Sequence, residues 1–438
     1  ENIPVRLDGQ ADARNQYKGH TFYWTQSFAI PLRRQRVSDD LTLSGIPTIY
    51  VGQSFQYTTF RKVYSDAVKA SDGDPGDGGE GDEPAVPPFY DHFYVSPDGT
   101  YDSVRQAMTD VKLFMQLQPY NRNGVLGLVT AGVGNGFNRY YYDVPEPYRG
   151  TYGNGGKQGK NSIYVYGGLE GAVSRYLRWS ADAKLHLIGY RSGDFHVGGK
   201  LSLAAYVREK PLKLDASVRF SLREPDFWQQ NYFSNHYAWL NHFSKEKTTL
   251  ITAAFTVPDY GIEVGGSYAL TKDKVYYGPN VVPQQHTGML NVMGLYLRKD
   301  FRIGGLHLNH RVLMQWSSDQ TVAPVPLLSA SLSYFFGFDI VRNVLHMQIG
   351  VDGRYNTEYY AYAYDPAIGQ FYTQDRVKLG NYPSLDAFIT AKWKRLRLRL
   401  KLQHWNCNLF GDNRYFEVVD YPQNRMMFKI GLSWSFYD

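Results

Sequence analysis

The chain has 438 residues, of which 20% are charged and 43% hydrophobic, and its 37 Tyr, 24 Phe, 8 Trp and 42 Gly are typical of β-structure. No segment approaches the roughly 18 consecutive apolar residues of a transmembrane helix, so helical membrane spans are excluded. The single cysteine, Cys407, excludes an intramolecular disulfide and a cysteine-based zinc site, and a net charge of +6 without a Lys/Arg run does not predict nucleic-acid binding.

The N-terminal part of the chain contains two segments without a strand pattern. We expect residues 1–20 to form either a leader or a plug, and residues 21–438 to form a single domain, whose architecture is predicted below. Within that domain we expect a long acidic loop around residues 61–88, because residues 71–84 read SDGDPGDGGEGDEP, a solvated low-complexity composition.

The acidic segment partly matches a calcium-binding loop. Asp72, Asp74 and Glu83 occupy positions 1, 3 and 12 of such a loop, but Gly76 and Asp77 reverse the required order of acid and glycine. The sequence therefore does not assign calcium binding here.

Along much of the chain from residue 21 onwards, apolar and polar residues alternate with a period of two. Between Leu212 and Arg223, for example, apolar residues alternate strictly with polar or charged ones. This pattern predicts strands with one apolar and one polar face, and their length of roughly 10 to 15 residues suits strands that cross a bilayer. The candidate strands span residues 21–33, 47–59, 108–119, 124–139, 161–173, 176–190, 194–207, 211–223, 231–243, 248–257, 260–271, 287–299, 303–317, 326–336, 343–355, 384–394, 396–407 and 424–438.

Aromatic residues at the ends of these segments, and an alternating aromatic strand that includes Trp434 and Phe436, are typical of outer-membrane barrels. Counted back from the C-terminus, short and long connections alternate, as they do between the periplasmic and extracellular ends of such barrels. The alternation fails towards the N-terminus, where the long connection at residues 140–160 falls at the end that otherwise has short turns. At least one strand assignment is therefore wrong. We predict an all-β transmembrane antiparallel β-barrel of about 16 to 18 strands in the outer membrane of a Gram-negative bacterium; a soluble β-sandwich is the alternative.

On the polar faces, cations outnumber carboxylates. Rings of positive charge in a water-filled lumen favour anions, although a solvated sheet face would also carry Lys and Arg. The predicted pore-lining residues are Arg178, Lys184, Lys200, Lys213, Arg219, Arg223, Arg311, Arg354, Arg397, Arg399 and Lys401.

No sequence motif for catalysis, phosphate binding or dinucleotide binding is present, and we predict neither enzymatic activity nor a cofactor. The most suggestive group is Ser234, His236 and His242. Residues two apart on a strand share a face but lie roughly 6.5 Å apart, too far for a routine nucleophile–base hydrogen bond, so polar lumen residues are the preferred interpretation. We predict no metal site among the scattered histidines 186, 196, 307 and 346.

Several segments of this sequence resemble the outer-membrane β-barrel porin family of Bacteroidota. They read IPTIYVGQSFQYTTFRKVYSD (46–66), FYDHFYVSPDGTYDSVRQAMTDVKL (89–113), NSIYVYGGLEGAVSRYLRWSADAKLHLIGYRSGDFHVGGKL (161–201) and EPDFWQQNYFSNHYAWLNHF (224–243). The residues most similar to the family are Ser234, Asn235, His236, Trp239, Asn241 and Phe243, preceded by Glu224 and Pro225. The resemblance implies a single outer-membrane β-barrel reached through a signal peptide, and the acidic insertion departs from the family pattern.

These observations favour a barrel for passive diffusion of small hydrophilic solutes, with a preference for anions. The alternative is an accessory or scaffolding subunit of a larger outer-membrane complex for secretion, insertion or uptake. Expected partners are outer-membrane lipid and lipopolysaccharide, together with other outer-membrane barrels or lipoproteins in the alternative.

Overall fold

The alternating segments form long antiparallel strands in a computed structural model of the chain, which describes residues 5–7, 11–32, 47–68, 70, 89–119, 125–407, 409 and 416–436. The strands of the first half are β1 (Val5–Leu7), β2 (Ala11–Pro31), β3 (Thr48–Asp66), β4 (Thr100–Gln118), β5 (Leu128–Tyr142), β6 (Gly156–Val173), β7 (Leu177–Gly189), β8 (Phe195–Val207), β9 (Lys210–Arg223), β10 (Asn231–Phe233) and β11 (Ala238–Leu240). Those of the second half are β12 (Glu246–Val257), β13 (Ile262–Tyr277), β14 (Pro283–Ile303), β15 (Leu306–Ser317), β16 (Leu328–Val341), β17 (Leu345–Asn356), β18 (Ala363–Asp365), β19 (Gln370–Tyr372), β20 (Ser384–Trp393), β21 (Leu396–Gln403), β22 (Phe416–Val418), β23 (Tyr421–Pro422) and β24 (Met427–Trp434).

Helical structure in the described residues is limited to four short pieces. They are α1 (Arg149–Tyr152), α2 (Phe227–Gln230) and the 3₁₀ turns Glu146–Tyr148 and Pro258–Tyr260. None of these described helices has the length and apolar character needed to cross a membrane.

Seventeen long strands make one antiparallel meander, in which each strand pairs with the next long strand along the chain. The short β1 pairs antiparallel with the start of β2, and the pairs β10–β11, β18–β19 and β22–β23 form separate hairpins within the connections. The all-β prediction is confirmed, and the number of paired strands lies within the predicted range.

Connections at the two ends of the sheet differ in length. At one end, here called the turn end, residues 208–209, 304–305 and 394–395 link neighbouring strands. At the other, here called the loop end, the connections include residues 224–245 and 357–383. This asymmetry is the one expected from the sequence.

The predicted strand at residues 231–243 is wrong. This segment lies in the 224–245 connection, where Asp226 caps α2 through a capping box with Gln229 and the chain then forms the β10–β11 hairpin. Its apolar residues bury against other loops rather than alternate towards lipid. Without this strand, the long connection at residues 143–155 falls at the loop end, which removes the inconsistency in the sequence assignment.

Two predicted boundaries also change. The strand β2 begins at Ala11, so the boundary at residue 21 is wrong. Residues 11–20 lack an apolar face, although residues 11–13 pair with β1 and residues 14–20 pair with β3. The acidic loop was expected from residue 61, but β3 continues to Asp66. Residues 71–88, including the candidate calcium ligands, lie outside the described part of the chain.

The two faces of the sheet have different chemistry. One carries large apolar side chains that are exposed in the isolated chain, such as Leu187 (47% exposed) and Leu432 (68% exposed). The other carries polar side chains, and the buried residues collect at its loop end, among them Tyr64, Tyr140, His236 and Trp239. An apolar outer face and a polar inner face are characteristic of outer-membrane barrels.

Candidate functional site

Residues 224–245 fold inward from the loop end and pack against the inner face of the sheet. The Phe227 ring on α2 stacks on the Tyr140 ring of β5, with 3.9 Å between centroids, and Tyr232 stacks on Trp239 within the β10–β11 hairpin at 4.7 Å. The aromatic residues that made this segment look like a strand therefore form a small hydrophobic core inside the sheet.

His236 lies at the centre of this inward-folded loop and is 2% exposed. Its Nε2 atom is 2.7 Å from the Thr100 hydroxyl and 3.2 Å from Oδ2 of Asp66, and its Nδ1 atom is 2.9 Å from the carbonyl oxygen of His92. The ring also stacks on Tyr90 at 3.7 Å between centroids. One imidazole thus joins the ends of β3 and β4 to two connections.

The neighbouring Asn235 is equally well bonded. Its backbone N–H donates to Oδ1 of Asp102 at 3.0 Å, and its side-chain amide donates to the Ser96 carbonyl at 3.0 Å and to the Thr100 hydroxyl at 2.9 Å. Its Oδ1 atom accepts from the backbone N–H of Val95 at 2.8 Å. Buried polar groups with complete hydrogen bonding fix a single geometry, so this asparagine fixes the loop against β4.

The 357–383 connection meets the first loop from another side. The Tyr237 hydroxyl donates to Oδ2 of Asp365 at 2.7 Å, and Lys62 donates to the carbonyl oxygen of Ala367. Asn15 donates to the Pro366 carbonyl at 2.9 Å. Since this connection starts at β17 yet contacts β2 and β3, the sheet must curve around both loops.

Burial affects the ionisable groups of these loops. It raises the pKa of the Asp365 carboxyl above its ordinary value, and it raises the pKa of the Tyr237 phenol that bonds to it. We call the packed assembly of residues 224–245 and 357–383 with the adjoining strand ends the loop-end core.

A cavity of about 830 Å³ opens on the inner face beside this core. Arg311 and Arg354 contribute to its wall, together with Tyr382, His404 and Asn424. His404 is itself held by Tyr382, whose hydroxyl is 2.6 Å from Nε2. The cavity therefore presents guanidinium groups in a surface of fixed hydroxyl, amide and aromatic groups.

The predicted pore-lining cations lie at alternate positions on the polar face. Arg397 and Arg399 share a second cavity of about 400 Å³, and Lys200 lines a third of about 330 Å³. The ammonium group of Lys184 lies 3.6 Å from the centroid of the Tyr164 ring. Sequence reasoning identified this face but not the separate recesses on it.

Three of these eleven cations have carboxylate partners. Arg223 lies 3.8 Å from Glu246, Arg399 lies 3.9 Å from Asp352, and Lys401 lies 2.8 Å from Asp386. The other eight have no carboxylate of a described residue within 4.0 Å; they are Arg178, Lys184, Lys200, Lys213, Arg219, Arg311, Arg354 and Arg397.

Ser234 and His236 do not form a nucleophile–base pair. The Ser234 hydroxyl donates to the Tyr237 carbonyl at 3.0 Å and accepts from the Tyr237 N–H at 3.1 Å, whereas the bonds of His236 go to other residues. His242 is exposed. Across the described residues, no group of three or more His, Cys, Asp or Glu side chains is placed to hold a metal ion.

Sequence reasoning missed the partners in the loop-end core. Asp66, Thr100, Asp102 and Asp365 come from distant parts of the chain, and no local pattern distinguishes them from other polar residues. The available signal was the density of aromatic residues, Asn and His in residues 227–242, which departs from strict alternation.

Comparison with solved structures finds a similar fold in several receptors. A mutant ferric enterobactin receptor from Pseudomonas aeruginosa is 12% identical, with a TM-score of 0.50 over 90% of this chain and 64% of the receptor. The siderophore receptor PirA from Acinetobacter baumannii is 9% identical, with a TM-score of 0.52 over 97% of this chain and 71% of PirA. BauA, the ferric preacinetobactin receptor from the same organism, is 10% identical, with a TM-score of 0.53 over 98% of this chain and 64% of BauA.

These similarities concern the fold. The chain spans less than two thirds of the length of the enterobactin receptor and of BauA. Comparison with curated proteins gives no match.

A family comparison covers the whole chain and confirms the resemblance seen in the sequence. Together with the receptor folds, it identifies an outer-membrane β-barrel protein of a Gram-negative bacterium. The chain belongs to the family described as "Putative porin", whose model matches residues 1–438.

Proposed function

We propose that the protein is a closed β-barrel that allows small hydrophilic solutes to diffuse across the outer membrane and that prefers anions. Closure is supported by contacts across the sheet: Asn15 of the first long strand bonds to the 357–383 loop, and Tyr364 in that loop packs against Tyr421, near the last strand. An antiparallel closure requires an even number of strands, and β1, which pairs with the start of β2, would be the eighteenth.

The observation that carries the anion preference is the excess of unpaired cations on the inner face. Arg311 and Arg354 line the cavity of about 830 Å³ without an ion pair to any described residue. A guanidinium group without a carboxylate partner keeps its attraction for anions, and a narrow lumen between low-dielectric walls strengthens that attraction. Small anionic solutes would therefore be more concentrated in the lumen than neutral ones.

The loop-end core limits the size of those solutes. Because His236 and Asn235 are almost completely buried among loops that meet inside the sheet, any route must pass beside this core. We therefore expect a lower conductance than that of an open barrel with the same number of strands.

The same core also supports a second candidate function. A barrel whose loop end is packed can act as an accessory or scaffolding subunit of a larger outer-membrane complex. Purification in mild detergent distinguishes the candidates, because a stable stoichiometric complex favours the scaffold and an isolated conducting barrel favours diffusion.

Liposome swelling tests the diffusion proposal directly. Glucose and glucuronate have similar sizes but different charges, so an anion-preferring barrel should admit glucuronate faster, and Arg311→Gln with Arg354→Gln should reduce that difference. The matched control is Lys247→Gln with Lys272→Gln, which removes the same charge from an opposed pair on the outer face. Equal rates for both solutes, or no swelling by folded protein, would contradict the proposal.

A further inference from the structure

A row of cations crosses five neighbouring strands near the loop end. Lys18 on β2 is directly opposite Arg61 on β3, which is opposite Arg105 on β4. The row continues through Tyr141 on β5 to Lys157 on β6. At about 4.8 Å between strands, the four cations and the tyrosine span about 19 Å.

These side chains lie on the outer face of the sheet. They occupy the same alternate positions as exposed apolar residues further down their strands, including Phe22, Val111, Val133 and Val165. Lys18, Arg105 and Lys157 are exposed, and Arg61 is half-buried. The row is therefore separate from the lumen cations.

No carboxylate of a described residue compensates the positive charge of this row. Like charges directly opposite on neighbouring strands destabilise a sheet, and none of the four cations has a carboxylate of a described residue within 4.0 Å. Among the described residues, Arg61 bonds to two hydroxyl groups, with Nε 3.3 Å from Ser103 and Nη2 3.5 Å from Tyr101. Such a row is expected to be stabilised by an external anion.

Aromatic residues fix the level of this row relative to the membrane. Phe22, Tyr57, Thr109 and Phe137 pair with one another in that order across β2 to β5. Each lies four residues further from the loop end than the member of the cation row on the same strand. Four residues correspond to about 13 Å along a strand, or about 10 Å along the normal for a typical tilt. Aromatic girdles mark the interface and long loops are extracellular, so the cations reach the headgroup level of the outer leaflet.

Arg139 adds a fifth cation on β5, two residues further from the loop end than Tyr141, and its guanidinium lies 5.0 Å from the Phe137 ring. Arginine recognises phosphate with two parallel hydrogen bonds, and the apolar surface beneath offers a place for acyl chains. We propose that Lys18, Arg61, Arg105, Arg139 and Lys157 form a binding site for the phosphate groups of lipopolysaccharide. This proposal requires the outer-membrane location but not solute diffusion.

Binding of purified lipopolysaccharide to the full chain in detergent, followed by native mass spectrometry, tests this site. The test variant replaces Lys18, Arg61, Arg105 and Lys157 by Gln, and the matched control replaces Arg178, Lys200, Lys213 and Arg219 by Gln, which removes the same charge from the inner face. We expect the apparent Kd to rise at least about tenfold in the test variant and to stay within about twofold in the control.

Dephosphorylated lipopolysaccharide should bind wild type as weakly as intact lipopolysaccharide binds the test variant. If the four-site variant does not fold, Arg105→Gln and Arg105→Glu keep the test possible, because the charge reversal should weaken binding more than neutralisation does. Equal binding of the two lipopolysaccharides to wild type, or equal binding by wild type and variant, would overturn the proposal. Anion permeation should be unchanged in the four-site variant, which separates this result from the proposed function.

Discussion

At the residue scale, His236 illustrates how one side chain can organise a site that has no sequence signature. Its two ring nitrogens contact Thr100, Asp66 and the His92 carbonyl, and its ring is covered by Tyr90. Asp66, Thr100 and Tyr90 are buried, so removal of the imidazole would take a buried hydrogen-bond partner from Asp66 and from Thr100. A buried polar group that loses a hydrogen-bond partner without a replacement destabilises the folded state strongly.

His236→Ala should therefore destabilise the loop-end core by about 3 kcal/mol, since Thr100 and Asp66 lose a buried partner. The free energy of unfolding in urea and the rate of proteolysis within residues 224–245 measure the effect, and a loosened core should also raise the swelling rate. His242→Ala is the matched control, because this histidine lies in the same loop but is exposed. Similar stability of the two variants would show that the imidazole contacts contribute little.

The sequence predicted which charged side chains share the polar face, but it did not predict which of them form ion pairs. Alternation placed Arg397, Arg399 and Lys401 on one face because strand geometry has a period of two. The ion pairs of Lys401 with Asp386 and of Arg223 with Glu246 depend on which strands are neighbours and on their register, which local sequence does not specify.

At the element scale, neighbouring strands fit by pairing glycine with large aromatic residues on the inner face. Gly134 on β5 is opposite Tyr164 on β6, whose hydroxyl donates to Asp110 on β4 at 2.6 Å. A Cβ atom at residue 134 would lie 2.3 Å from the tyrosine ring, so the absence of a side chain allows the ring to cross the strand. Three strands are thereby joined by a single phenol.

Gly134→Ala should displace the Tyr164 ring, break its bond to Asp110 and destabilise the barrel by about 1–3 kcal/mol. Gly136→Ala provides the control on the same strand and face, because its Cβ would meet no atom closer than 3.8 Å. Urea unfolding of the two variants in the same detergent measures the difference. Equal midpoints would mean that the ring moves at little cost.

The sequence also predicted which segments form long strands, but it did not predict the full length of those strands or the loop structure of residues 231–243. The period of two identified every long strand of the meander, since each has an apolar lipid face. The sequence did not predict a strand at residues 11–20, because the part of β2 above the apolar belt carries Arg14 and Lys18 on its outer face. Residues 231–243 were misassigned because a dense aromatic segment buries equally well in a loop core.

At the scale of the whole molecule, the alternation of connections between the two ends of the sheet is the strongest constraint on the strand assignment. Removing one false strand moved the 143–155 connection to the loop end, where it joins the 224–245 and 357–383 connections on the side that is extracellular in the proposed orientation. The inner face then carries two kinds of charge: cations paired with Asp352, Asp386 or Glu246, and cations such as Arg311 and Arg354 that lack such partners. In the proposed function, cations of the second kind make the lumen prefer anions.

The reversal potential of single channels in a planar bilayer under a KCl gradient tests the central claim most directly. We predict anion selectivity for the wild-type protein, which should diminish as ionic strength approaches 1 M and the Debye length falls to about 3 Å. Replacing Arg397, Arg399 and Lys401 by Gln should shift the potential towards cations, because Asp352 and Asp386 lose their partners. A cation-selective wild-type channel, or folded protein without any conductance, would contradict the account.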